Sequence, residues 1–211
     1  MVGKRQIYVE ICIDAGIDRV WAATQEPTQH VRWDVRFSTI TAERLDASGA
    51  TRFTYVRRSP MHDIAGTGVS IGEREGRDGA RTSALRFATG DPFSPIRSGR
   101  GYWRYVPLDG GRTLFITGYD YDPGWGPLDL VVRPLLGWAT AWSFDRLRIW
   151  LERGDAPERW PLASALAVWR PERPRAARAL RAPAGGTRAG DFLRDAPSTL
   201  ATLPRPVAGP R

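Results

Sequence analysis

The order of its elements constrains this chain more than any other feature. One strand comes first, a short helical stretch follows, then a long run of strands, then a single long apolar helix over residues 127–153. In the opening strand, residues 6–14, Ile7, Val9, Ile11 and Ile13 alternate with Tyr8, Glu10 and Cys12, the period of two of a half-buried strand. Residues 16–33 read as two helical pieces separated by Pro27, which cannot donate to a helical ladder. The spacing then predicts strands at 35–45, 51–58, 66–75, 81–89, 98–107 and 112–121. Between them lie the turn signals Asp46-Ala-Ser-Gly49, Asp78-Gly79, Gly90-Asp91-Pro92 and Asp109-Gly110-Gly111. The closing helix has Pro127 where a first helical residue sits and Gly154 just past its end, the asymmetry helices prefer. Strands grouped between segregated helices indicate an α+β fold with an antiparallel sheet. Such a sheet covers its apolar face with one helix only by curving around it, and that geometry makes a groove or cavity.

Length and charge divide the chain. Its 211 residues suit one domain of roughly 150 residues plus an extension, which places a domain at 1–154 and a Pro/Ala/Arg-rich extension at 155–211. The extension holds ten Arg against five Asp or Glu, so most of the net charge of +8 sits there. Its charges are spread out and broken by Pro and Ala, which predicts a largely disordered, solvated tail that touches anionic surfaces weakly and binds no specific nucleic acid. Residues 161–169 can form a short helix that lays Leu162, Leu166 and Trp169 on the domain. Cys12 is the only cysteine, which excludes an internal disulfide. The first six residues are polar and basic and lead straight into a strand, and no apolar stretch approaches the ~20 residues of a membrane span, so the expected protein is cytoplasmic.

The strands show where a ligand would sit. Phe115, Thr117, Tyr119 and Tyr121 fall on one face of the last strand, and Trp103 and Tyr105 on the same face of its hairpin partner. Phe53 and Tyr55 alternate with Arg52 and Thr54, and Leu85 and Phe87 flank Arg86. This inward face is rich in Tyr, Trp and Thr, which combine apolar surface with a polar tip, as amphipathic ligand sites require. Packing against the long helix would account for the same stripe equally well. In the helix, Leu128, Val131, Val132, Leu135, Trp138, Ala139 and Trp142 follow helical spacing and are expected to face the sheet. Pro134 lies inside that run, which predicts a kink or break between a mobile segment, 127–133, and a docked one, 135–153.

The strand–helix–helix–strands–long-helix order, with Arg-Trp-Asp at 32–34 and Trp-Ala-Thr-Ala-Trp-Ser-Phe-Asp-Arg-Leu-Arg at 138–148, resembles the SRPBCC or START-like helix-grip superfamily, with polyketide cyclase/dehydrase-like members. The resemblance covers about residues 4–154 and stops short of the extension. It implies a helix-grip fold: a curved sheet of about seven strands gripping the last helix around a hydrophobic cavity. Members bind lipids, sterols, polyketides or plant hormones, and some are cyclases or aromatases. Alternation supplies the expected lining of such a cavity, the sheet side chains turned toward the helix and the two tryptophans it offers back: Phe37, Phe53, Tyr55, Phe87, Trp103, Tyr105, Phe115, Thr117, Tyr119, Trp138 and Trp142.

Catalytic groupings are sparse. His30 and His62 are the only histidines and read as surface residues, and no nucleophile–base pair is legible. No His/Cys cluster suits a metal, and no cofactor motif is present: Gly66-Thr-Gly68 and Gly72 precede no helix and instead permit a bent sheet. Asp120, Asp122 and Asp129 read as turn and helix-end chemistry. Asp145–Arg148 and Arg148–Glu152 read as surface ion pairs. These residues favour carriage of a small hydrophobic or aromatic molecule over a polyketide cyclase- or aromatase-like enzyme, because no inward ionisable group is evident. A filled domain acting only as an interaction module is the third possibility.

Overall fold

The computed structural model describes residues 6–44, 49–73, 79–183, 192–193 and 196–207. Seven strands form one antiparallel sheet: β1 (Ile7–Ile13), β2 (Thr39–Arg44), β3 (Thr51–Arg57), β4 (Ile64–Glu73), β5 (Arg81–Ala88), β6 (Ile96–Leu108) and β7 (Arg112–Pro123). Their order is β1-β7-β6-β5-β4-β3-β2, so every neighbouring pair except β1–β7 is a hairpin. The helices α1 (Ile17–Gln25) and α2 (Pro27–Trp33) divide at Pro27, the first residue of the second piece. The long helix α3 (Asp129–Arg153) is preceded by a 3₁₀ turn at Gly126–Leu128 and capped by Gly154 with φ 75°. The α+β helix-grip architecture expected from the sequence is the one observed. Residues 46–48 and Asp78, within two of the expected turns, lie outside the described residues.

The register brings the alternating side chains onto one concave face. Across it run the rows Phe53–Gly68–Phe87–Gly99–Tyr121 and Thr51–Ser70–Leu85–Gly101–Tyr119. Phe53 and Phe87 lie flat over the glycines beside them. A side chain begun at Gly68 would meet the Phe53 ring at 2.1 Å, and one at Gly99 the Phe87 ring at 2.2 Å. Glycine is therefore required there for close approach, and large rings cover the bare backbone.

Three sequence expectations change. First, α3 is continuous: Pro134 falls in its second turn, the flanking peptide bonds stay helical, and no break occurs. Second, the stripe expected at its start is not the face that meets the sheet. Leu128, Leu130, Val131 and Leu135 are 58–71% exposed, whereas Trp138 is half-buried and Trp142 fully buried. The start of the helix meets β7 through another face: the Tyr121 hydroxyl donates to Asp129, Arg133 lies 4.0 Å over the Tyr121 ring, and Leu136 packs on the core.

Third, the described parts of the extension are docked and not disordered. Trp160 is fully buried, and Ala176 and Ala179 join the main core. Asp145 is a buried carboxylate, not a surface one: it accepts from Arg148 Nε at 2.8 Å, the Arg175 backbone N–H at 2.8 Å and Arg178 at 3.0 Å. Leu180 exchanges both backbone hydrogen bonds with Glu10 and so covers part of the open edge of β1. Farther on, Leu200 and Leu203, around the short helix α4 (Thr199–Thr202), cover Ala50, Val69 and Ala84 on the convex face. Within 161–169 the chain forms a 3₁₀ helix at Leu162–Leu166, but Leu166, Val168 and Trp169 point to solvent.

Candidate functional site

The expected lining residues share the concave face but divide into two groups. Trp103, Tyr105, Phe115, Thr117, Tyr119 and Trp142 are buried, and most pack into one aromatic core with Trp33 and Phe144. Phe115 stacks on Phe144 with ring centroids 4.4 Å apart and on Tyr105 at 5.0 Å. The Tyr105 hydroxyl is held by Thr24 at 2.6 Å and Gln25 at 2.9 Å, and Thr117 donates to the Tyr102 carbonyl at 3.0 Å. Under β1, β7 and most of β6 the interior is therefore filled. The indole N–H of Trp142 is an exception, a buried donor with no acceptor among the described residues.

Phe37, Phe53, Tyr55, Phe87 and Trp138 form the second group, all half-buried. They mark the part of the concave face under β3–β5, where the long helix no longer seals the sheet. Phe37 meets the Tyr55 ring edge-on at 5.6 Å. The Tyr55 hydroxyl has no partner among the described residues, and burial pushes it up to about 12, so it is a protonated, unengaged phenol on an aromatic wall.

Inward ionisable groups, which the sequence did not reveal, stand beside this wall. Asp34 is fully buried in the link from α2 to β2. It accepts from Arg36 Nε at 2.9 Å, from Arg36 Nη2 at 2.6 Å and from His30 Nε2 at 3.1 Å. Burial opposes the Asp34 charge most, but the Arg36 charge and the two sets of hydrogen bonds outweigh it and hold the carboxyl well below the usual carboxylate range. His30 is buried too, stacked on Trp33 at 5.0 Å with Phe37 and Trp103 edge-on to it, so it is no surface histidine. Arg36 reaches over the Tyr119 and Phe37 rings, 5.7 Å from each centroid, with its side chain 19% exposed. Burial raises the Tyr119 hydroxyl although Arg36 opposes the shift, and that hydroxyl meets Thr140 Oγ1 of α3 at 2.9 Å. One signal could have found this cluster. His30, Asp34 and Arg36 are spaced i, i+4, i+6 across a helix end, and Trp33 anchors that end in the core.

A cavity of about 350 Å³ adjoins the cluster, with Asp34 and Phe37 in its wall and Arg146 and residues of the extension opposite. His62 lies apart from it, paired with Asp91 at 2.7 Å on the surface. Among the described residues no group of three or more His, Cys, Asp and Glu could hold a metal ion. No helix among them is long and apolar enough to cross a membrane.

No protein-family model matches the chain. It is 38% identical over 172 residues to a Bacillus subtilis (strain 168) protein named uncharacterized membrane protein YndG; the match covers 79% of this chain and 64% of that protein's length. Among solved structures, human StAR-related lipid transfer protein 5 is similar at a TM-score of 0.57 and 14% identity, over 69% of this chain and 74% of that one. A STAR-related lipid transfer protein from Xanthomonas axonopodis gives 0.52 and 18%, over 72% and 89%. Zhui aromatase/cyclase from Streptomyces sp. R1128 gives 0.51 and 14%, over 72% and 98%. At these identities the likeness concerns the fold alone: a curved antiparallel sheet with short helices after the first strand and a long helix at its end, the helix-grip arrangement.

Proposed function

We propose that this chain, an SRPBCC helix-grip protein by fold, binds and carries a small hydrophobic or aromatic molecule on the concave face under β3–β5. One observation carries the reading: four half-buried aromatic residues, Phe37, Phe53, Phe87 and Trp138, share this face with the Tyr55 phenol, which has no partner among the described residues, and the Arg36 guanidinium lies over Phe37. An apolar wall with a few placed polar groups is what small-molecule sites require. Structures of the same fold named for lipid transfer and for aromatase/cyclase activity support the ligand class. The cytoplasmic location expected from the sequence belongs to this proposal, and cell fractionation tests it against the membrane named in the Bacillus relative.

Native mass spectrometry of the purified full chain is expected to show a bound small molecule that organic solvent releases. No adduct and no saturable uptake of a neutral lipophilic fluorophore would overturn the reading. Ser70 lies half-buried in the row Thr51–Ser70–Leu85, so Ser70→Trp should fill the site and abolish uptake with little change in Tm. Tyr55→Phe keeps the ring and removes the free hydroxyl. For a ligand that accepts from it, affinity should fall by ~0.5–1.5 kcal/mol.

The His30–Asp34–Arg36–Tyr119 grouping favours a second reading, a cyclase- or aromatase-like enzyme at the same place. Arg36 can stabilise an oxyanion developing on a folded polyketone, and Tyr119, kept protonated by burial, can donate to it on giving up its hydrogen bond to Thr140 Oγ1. That reading requires the bound molecule to leave chemically changed. A ring closed and dehydrated would appear lighter by one water, and a ring closed without dehydration would appear as an isomer of altered chromatographic retention; a molecule unchanged in both mass and retention would leave carriage alone.

A further inference from the structure

We infer that the cleft between the α2–β2 link and the extension is a second binding site, which shares only Phe37 with the concave-face site, for a small organic anion with an apolar body. Its volume of about 350 Å³ lies within the range of small-molecule pockets. Three arginines line it: Arg32, Arg57 and Arg146. The two acids in its wall are already engaged, Glu158 by both Nε and Nη2 of Arg32 and Asp34 by Arg36 and His30. Arg57 and Arg146 form no ion pair among the described residues, and the three arginines of the wall outnumber its two acids.

Arg146 is the more telling of the two. It is 8% exposed, and its acceptors are backbone carbonyls: Nε and Nη2 reach the Pro157 oxygen at 2.8 and 2.6 Å, and Nη1 the Trp33 oxygen at 3.4 Å. The carboxylates that act on it through space, Glu158 and Asp34, are each hydrogen-bonded to another cation, and carbonyl dipoles replace the hydration of a buried guanidinium only in part. Burial lowers Arg146 to about 10, so it still carries its charge at neutral pH. Three carbonyl contacts hold its fork in place and leave the rest of the group toward the cleft. Val35, Phe37 and Leu162 line the same space and would cover an apolar body. Charge on one side and apolar wall on the other select a carboxylate or similar anion over a neutral lipid or an inorganic ion.

Titration calorimetry of the full chain with octanoate, and with 1-octanol as the neutral control, tests this. Octanoate is expected to bind about tenfold more tightly than octanol, in keeping with the strength of charged hydrogen bonds. Arg57→Gln and Leu162→Glu alter half-buried or exposed positions, so Tm should hold while octanoate affinity falls about tenfold. Ser70→Trp should leave octanoate binding unchanged even where it abolishes uptake on the concave face, so the two sites fail independently. Equal affinity for octanol, indifference to Arg57→Gln, or loss on Ser70→Trp would each overturn the inference. So would binding to oleate-doped phosphatidylcholine vesicles without binding of dissolved octanoate, which would assign the charge to a membrane surface.

Discussion

Cutting the chain after Gly154 is expected to abolish cooperative folding or to lower Tm by roughly 10–20 °C. Truncation uncovers a large share of the structure. Trp160 is fully buried, and losing a buried tryptophan alone costs ~3–5 kcal/mol. Arg146 would lose the Pro157 carbonyl that takes two of its donors, and the buried Asp145 would lose Arg175 and Arg178. Each buried polar group left without its partner adds ~1–3 kcal/mol. Leu200 and Leu203 would no longer cover Ala50, Val69 and Ala84. Against a domain stability of ~5–15 kcal/mol, the sum is of the same order as the whole. At this size 1 kcal/mol moves Tm by ~2–4 °C. Comparison of 1–154 with the full chain by thermal and urea unfolding decides it. A Tm within about 5 °C of the full chain would restore the boundary at 154 as that of an independent domain.

Asp34→Ala is the second large effect. Removing the carboxylate leaves the Arg36 guanidinium in the interior with no counter-charge, a change that costs ~3–5 kcal/mol when one member of a buried pair is lost. Replacing both residues, Asp34→Ala with Arg36→Met, removes the stranded charge and should recover much of that loss. If the double variant is as unstable as the single, the pair is not what holds this region. The same group sets an acid dependence. The folded-state carboxyl lies below its ordinary value, so its contribution is complete above the unfolded pKa of ~3.9 and is lost as pH falls from there toward the folded value. Stability of the native chain should therefore decline steeply below about pH 4, and the decline should be shallower in Asp34→Ala. Urea midpoints at pH 5, 4 and 3 measure both slopes.

Much of this architecture is local and was legible in the chain. Alternation at Ile7, Val9, Ile11 and Ile13, and at Phe115, Thr117 and Tyr119, specified strands and their inner faces, because successive side chains of a strand must point opposite ways. Pro27, Asp109-Gly110-Gly111 and Gly154 marked breaks and ends through backbone freedom alone; Gly110, Gly111 and Gly154 do take positive φ. What the tertiary structure decided is which of these faces are covered and by what. Leu128, Val131 and Leu135 have the spacing of core residues yet face solvent, because the helix turns the side carrying Asp129, Arg133 and Leu136 toward the sheet. Asp34 and Arg36 look like link residues, but burial in the lining makes them one ion pair beside Tyr119. The extension has no period to read, and its order comes from surfaces elsewhere: Asp145 holds Arg175 from 30 residues away, and Glu10 pairs with Leu180 across most of the chain. Periodicity records only the nearest turns of backbone, whereas the burial of a charge, a tryptophan or a strand edge depends on partners brought in from far along the sequence.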